Sequence, residues 1–179
     1  MKLPEASIAA FEIFRCFIQT GKIFSQDHGP EDLTRKQYEE YTNREYYLLF
    51  DCWALGDQLM SVTFRDAVVD AFIAKADKAS HPFPRDLQDY IYPLTHPKSK
   101  IRQFIIEMAV YSWRPEDLKK YGKDSEKCPE FLHDLAMRLM KCAYEEEPYR
   151  VDWREAEPCD YHEHTPKGKG GKGCYLKLF

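Results

Sequence analysis

The sequence lacks the features that mark membrane, exported and nucleotide-binding proteins. No run approaches the roughly 18 consecutive apolar residues of a membrane span, and Lys2, Glu5 and Glu12 interrupt the region where a signal peptide has its apolar core. The glycine-rich run at 168–173 lacks the Gly-Lys-Ser/Thr end of a phosphate-binding loop. No Gly-x-Ser-x-Gly nucleophile elbow occurs either. We therefore expect no enzymatic activity and no catalytic residue.

Charge and cysteine usage narrow the class of protein further. Lys and Arg total 26 against 30 Asp and Glu, and the net charge of -4 argues against nucleic acid as the main partner. Six cysteines are dispersed along the chain: Cys16, Cys52, Cys128, Cys142, Cys159 and Cys174. Four of them lie inside or beside predicted helices, where buried free thiols are common. This usage favours an intracellular protein, cytoplasmic and/or nuclear, without membrane contact.

Apolar residues recur at helical spacing along most of the chain, which predicts a mostly α fold with at most one or two short strands. The first helix is expected to begin near Pro4, to bury Phe11 and Phe14, and to stop at Gly21, which favours the left-handed conformation of a helix end. Residues 22–25 allow a short strand, and residues 26–42 have the composition of a loop that allows one turn of helix. Further helices are predicted to begin near Asn43, Ser61, Lys98, Pro115 and Pro129.

Two short motifs in this helical pattern match a known family in order and spacing. Gln19-Thr20-Gly21-Lys22 ends the first helix, and Leu55-Gly56-Asp57-Gln58-Leu59 joins the next two. The stretch 3–76 thereby resembles the back half of a BTB/POZ domain. In that family the corresponding motifs are Tyr-Thr-Gly-Lys at the end of the first helix and Leu-Ala-Asp-Lys-Leu between the next two. It departs from the family pattern at Gln19 and Gly56, and the front half of the family's domain has no counterpart in the sequence.

The remainder of the chain is similar to BTB proteins that are numerous in filamentous fungi. Asp89-Tyr90-Ile91-Tyr92 leads into an apolar helix, as in their helical extension, and Cys159-Asp160-Tyr161-His162-Glu163-His164 matches their Cys-x-Tyr-His-x-His end. The resemblance implies a BTB-like helical unit at residues 1–78, a helical extension at 79–148 packed on that unit, and a tail at 149–179 that contains Cys and His and is rich in Lys and Gly.

The resemblance implies a protein-protein interaction module that acts as an adaptor or scaffold. Family membership would imply homodimers and, in some members, recruitment of a cullin ubiquitin ligase as a substrate adaptor, although the segments responsible lie largely in the unmatched front half. Without that half, we expect an apolar face on the first or second helix that is covered by a protein partner, by self-association or by the tail.

One cluster in the tail has the ligand chemistry of a metal site. Cys159, His162, His164 and Cys174 would supply two sulfurs and two nitrogens to a tetrahedral zinc ion. In an extended segment the two histidines, being alternate residues, share a face. The alternative is a tail whose Tyr161 and histidines pack on the helical extension without metal. If metal binds, the chain is a zinc-binding regulatory module; no other cofactor site is predicted.

Overall fold

The computed structural model describes residues 7–25, 33–78, 84, 86–123, 128–144, 156–164 and 174. Of these residues, 79% lie in helices and none lies in a strand, so the prediction of a mostly α fold is confirmed. The helices are α1 Ile8–Thr20, α2 Arg35–Gln58, α3 Val62–Lys78, α4 Leu87–Ile91, α5 Lys100–Ser112, α6 Pro115–Lys123 and α7 Pro129–Tyr144, with 3₁₀ turns at Tyr92–Leu94 and Pro158–Tyr161. Within the described ranges, no helix is both long enough and apolar enough to cross a membrane.

The chain divides into two compact units. The first comprises Met1–Phe83 together with His162–Phe179, and the second comprises Pro84–Tyr161. Helices α1, α2 and α3 belong to the first unit, and α4 to α7 belong to the second. The C-terminal segment contributes to both units, because the boundary falls at the peptide bond between Tyr161 and His162.

Helix α1 ends where the sequence predicts. Gly21 adopts a left-handed conformation with φ of 68°, and its N–H donates to the carbonyl of Phe17 at 2.8 Å. Residues 22–25 have no regular secondary structure, so the short strand allowed by the sequence does not form there. The expected start at Pro4 lies outside the described residues, and α1 is described from Ile8.

Helix α2 begins eight residues before the predicted start at Asn43, so that prediction is wrong. Thr34 is the N-cap: its hydroxyl accepts from the Gln37 N–H at 3.4 Å, and the Gln37 side chain accepts from the Thr34 N–H at 3.0 Å. This reciprocal capping box satisfies two donors that a helix start leaves free. Part of the predicted loop, from residue 35 onward, is therefore helix, whereas residues 26–32 lie outside the described chain.

The core of the first unit forms where α2 packs against both α1 and α3. Gly56 permits close approach in this region, since a Cβ at that position would lie 2.9 Å from Arg65 Cγ and 3.0 Å from Phe64 Cδ1. The largest buried side chains of the unit are aromatic and aliphatic: Tyr46, Leu49, Phe50, Trp53, Leu55, Phe64 and Phe72. A glycine inside a helix costs roughly 1 kcal/mol relative to alanine, and here it allows two helices to pack tightly.

The prediction that Phe11 is buried is wrong. Helix α1 buries Ala10, Ile13 and Phe17, whereas Phe11 is 47% exposed and Phe14 is only partly covered. Apolar residues surround most of this helix, so periodicity alone cannot select the side that faces the core. The side that lies on α2 is selected by tertiary packing.

The second unit is organised around a buried arginine on α5. The guanidinium of Arg102 donates to the carbonyls of Tyr92 at 2.6 Å and Thr95 at 2.5 Å, and to Glu130 at 2.8 Å. The Tyr92 carbonyl also accepts from the Thr95 N–H at 3.3 Å within the 3₁₀ turn, so Arg102 reinforces the end of that turn. Helix α5 also packs against α7. Helices α6 and α7 begin at the predicted Pro115 and Pro129, and α5 begins two residues after the predicted Lys98.

Candidate metal centre

Cys159, the first residue of the candidate centre, lies on the 3₁₀ turn Pro158–Tyr161. The ring of Tyr161 packs edge-on against Phe104 of α5, with 5.2 Å between ring centroids. Lys100 Nζ, at the start of α5, donates to the carbonyl of Asp160 at 2.8 Å. These two contacts hold the turn on α5 and leave the Cys159 side chain exposed.

In the first unit, residues 162–164 lie along one side of α3. His162 Nε2 is 2.9 Å from Asp70 Oδ1, and the Glu163 N–H donates to Asp66 Oδ1 at 2.7 Å. His164 Nδ1 lies 3.6 Å from Asp66 Oδ2. Asp66 and Asp70 are four residues apart, which places them one above the other on a helix. Each of the two histidines thus faces one of the two aspartates.

The four Cys and His side chains named from the sequence lie together. One ligand atom from each of Cys159, His162, His164 and Cys174 can be chosen so that all four lie within 4.8 Å of one another. Cys174 Sγ is 3.7 Å from His162 Nδ1. His162 is buried, Cys159 is exposed and the other two are partly exposed. The group could hold a metal ion.

The donor set and spacing suit zinc. Zn–S bonds of about 2.3 Å and Zn–N bonds of about 2.0–2.1 Å, arranged tetrahedrally, place a sulfur and a nitrogen roughly 3.5–3.6 Å apart. The distance between Cys174 Sγ and His162 Nδ1 is 3.7 Å, close to that value. Two thiolates with two imidazoles favour zinc over Mg²⁺ or Ca²⁺, which prefer oxygen ligands.

Two buried cysteines outside this cluster have raised pKa values. Burial raises the pKa of Cys52 from its ordinary 9.0 to about 12, and burial also raises the pKa of Cys128. Both thiols are therefore held in the protonated form, which is neither a nucleophile nor a metal ligand. Beside the cluster, burial raises the pKa of Asp66, and the Glu163 N–H and the two histidines oppose that shift.

The sequence patterns did not identify Asp66 and Asp70 as partners of the histidines. These contacts join residues 97 and 92 positions apart, a separation at which local spacing carries no information. The one signal in the sequence is that Asp66 directly precedes the apolar run Ala67-Val68-Val69, and the structure shows that Asp66 is buried. A buried carboxylate requires a partner, and here the partner is the C-terminal segment.

The second unit also contains a cavity of about 310 Å³, which differs from the Cys/His cluster in being mostly apolar. Helices α5, α6 and α7 and the α5–α6 connection line it with side chains that are apolar apart from one arginine: Ala109, Val110, Trp113, Arg114, Pro115, Leu118, Leu135 and Leu139. None of these residues is a ligand of the metals considered above. Unlike this cavity, the Cys/His cluster brings together side chains that can bind a metal ion.

Comparison of the chain with protein-family models, with curated proteins and with solved structures found no match in any of the three.

Proposed function

We propose that this chain is a zinc-binding module in which Cys159, His162, His164 and Cys174 hold one Zn²⁺ ion. The observation that supports this proposal is the convergence of four suitable ligand atoms within 4.8 Å of one another. A small contraction of the cluster would bring them to the distances of a tetrahedral site.

Such a zinc ion has a structural or regulatory role. Four protein ligands leave no open coordination position for a water molecule or a substrate, which a catalytic zinc requires. The ion would join Cys159 to Cys174 and fix the intervening histidines beside α3. Zinc binding would then add to the hydrogen bonds that already hold His162 and Glu163 beside α3, so the stability of this arrangement could respond to zinc supply.

Metal analysis of the purified full-length protein tests this function. We expect one zinc per chain after loosely bound metal is removed, and near-background zinc in Cys159→Ser and Cys174→Ser, because each variant removes a thiolate ligand. Cys16→Ser is the matched control, since Cys16 lies on α1 outside the cluster. A wild-type protein without zinc, or equal zinc in all four proteins, would contradict the proposal. Circular dichroism establishes that the helices of each variant are intact.

We also propose a protein-interaction role, as a BTB-family adaptor or scaffold in the cytoplasm and/or nucleus. The supporting observation is an uncovered apolar side of α1, where Ile8, Phe11 and Ile18 are 84%, 47% and 60% exposed. Large apolar residues grouped on one side of a surface helix mark contact sites for other proteins. The occupant would be a partner protein or a second copy of this chain. Recruitment of a cullin ligase belongs to the same proposal.

Substitution on this side of α1 tests the interaction role. Ile18→Asp places a charge in the apolar contact and is expected to lower partner recovery from native cell extract, or self-association in light scattering, by at least about tenfold. Met137→Asp is the matched control, because Met137 is 56% exposed on α7 of the other unit. Equal recovery and equal mass for the wild type and both variants would contradict the role.

A further inference from the structure

The contact between His162 and Asp70 has a consequence for metal binding. The His162 side chain is fully buried, and its Nε2 lies 2.9 Å from Asp70 Oδ1. Its other ring nitrogen, Nδ1, faces Cys174 Sγ at 3.7 Å. The two nitrogens therefore have different partners, and only one of them is directed at the cluster.

This geometry determines which nitrogen of a neutral His162 carries the proton. An ionised carboxylate only accepts hydrogen bonds, so the nitrogen beside Asp70 must be the donor. The lone pair then lies on Nδ1, on the side of Cys174. A metal-binding histidine commonly donates its second N–H to a carboxylate in this way, which fixes both the tautomer and the ring orientation.

We propose that Asp70 is the positioning residue of the zinc site and selects the tautomer of His162 that binds metal through Nδ1. The inference rests on the proposed zinc function and extends it from the segment that carries the ligands to helix α3. Asp66, one turn earlier on the same helix, supports the arrangement by accepting the N–H of Glu163, the residue between the two histidines. The structure thus prepares the site before the metal arrives.

Two substitutions at Asp70 with a control on the same helix test this role. Zinc affinity is measured by chelator competition on the full-length chain. We expect Asp70→Asn, which keeps an acceptor oxygen but loses the charge, to weaken zinc binding by about tenfold, and Asp70→Ala to weaken it by up to about 100-fold. Asp77→Asn, at an exposed position of α3, should bind zinc as the wild type does.

A second measurement distinguishes positioning from general support of the fold. Nitrogen-15 NMR of the His162 ring in metal-free protein should show one tautomer, protonated at Nε2, in the wild type and in Asp77→Asn, and a mixture in Asp70→Ala. Unchanged affinity and tautomer in Asp70→Ala would overturn the positioning role while leaving the zinc function intact. A wild-type chain that binds no zinc would overturn both proposals, so the two failures are distinguishable.

Discussion

At the residue scale, Phe64 illustrates what stabilises the first unit. Its side chain is fully buried, and its ring lies 4.9 Å from the ring of Phe14 and 5.2 Å from that of Phe17. Aromatic pairs at such distances add about 0.5–1.5 kcal/mol to the free energy gained from burial of their surface. Phe64 therefore connects α3 to α1 as well as filling the core.

Phe64→Ala is expected to lower the free energy of unfolding by about 3–5 kcal/mol, because it removes buried atoms and leaves a cavity. Phe11→Ala makes the same chemical change on α1 at a half-exposed position and should cost less than about 1 kcal/mol. Urea denaturation followed by circular dichroism measures both values. Similar costs for the two substitutions would show that the surface of α1 is covered in solution.

The chemistry of the candidate site was predictable at this scale, but its surroundings were not. Cysteine and histidine are the usual zinc ligands, so four of them within one short segment stand out in the sequence. Aspartate is common on helices, and nothing local links Asp66 or Asp70 to a segment more than ninety positions away. Ligand identity is therefore a property of the sequence, whereas ligand orientation depends on the fold.

At the element scale, the ends of helices follow local chemistry closely. Gly21 ends α1 with a left-handed residue, and Pro115 and Pro129 open α6 and α7, as expected for residues that suit those positions. The start of α2 was missed because both Thr34 and Asn43 are good caps. Gln37 decides between them, since it completes the capping box with Thr34. A cap with its reciprocal partner is a stronger signal than a cap residue alone.

The residue pattern of α1 also explains why Phe11 was expected to be buried. Its pattern has apolar residues around most of the helix, which is typical of a helix covered by several neighbours. Of the described helices, α2 packs on it most extensively, and Phe64 of α3 contacts it through Phe14 and Phe17. The described residues of the first unit do not cover this apolar surface, and the proposed interaction role uses it.

At the scale of the whole molecule, both units bury acidic hydroxyl or thiol groups in apolar surroundings. Burial raises the pKa of Cys52 to about 12 and raises the pKa of Tyr46 above its ordinary value in the first unit, and it does the same for Tyr92 in the second. In each case the fold favours the protonated group. The free energy of unfolding is therefore expected to depend on pH in the alkaline range.

The sign of that dependence follows from the direction of the shifts. A group whose pKa is raised by folding contributes its full stabilisation below its unfolded pKa, near 9 for Cys52, and loses it as pH rises toward the folded value near 12. We expect the free energy of unfolding to be constant from about pH 7 to 8, and the Cys52 shift alone to lower it by on the order of 2 kcal/mol by about pH 10.5.

Urea denaturation at several pH values, with a chelator present to keep zinc out of the measurement, tests this expectation. Tyr46→Phe is the informative variant, because the Tyr46 hydroxyl has no hydrogen-bond partner among the described residues and its loss should cost little near neutral pH. Removing this ionisable group should make the alkaline decline less steep. A wild-type midpoint that stays constant up to about pH 10.5 would mean that the buried thiol and hydroxyl groups are exposed to water in solution.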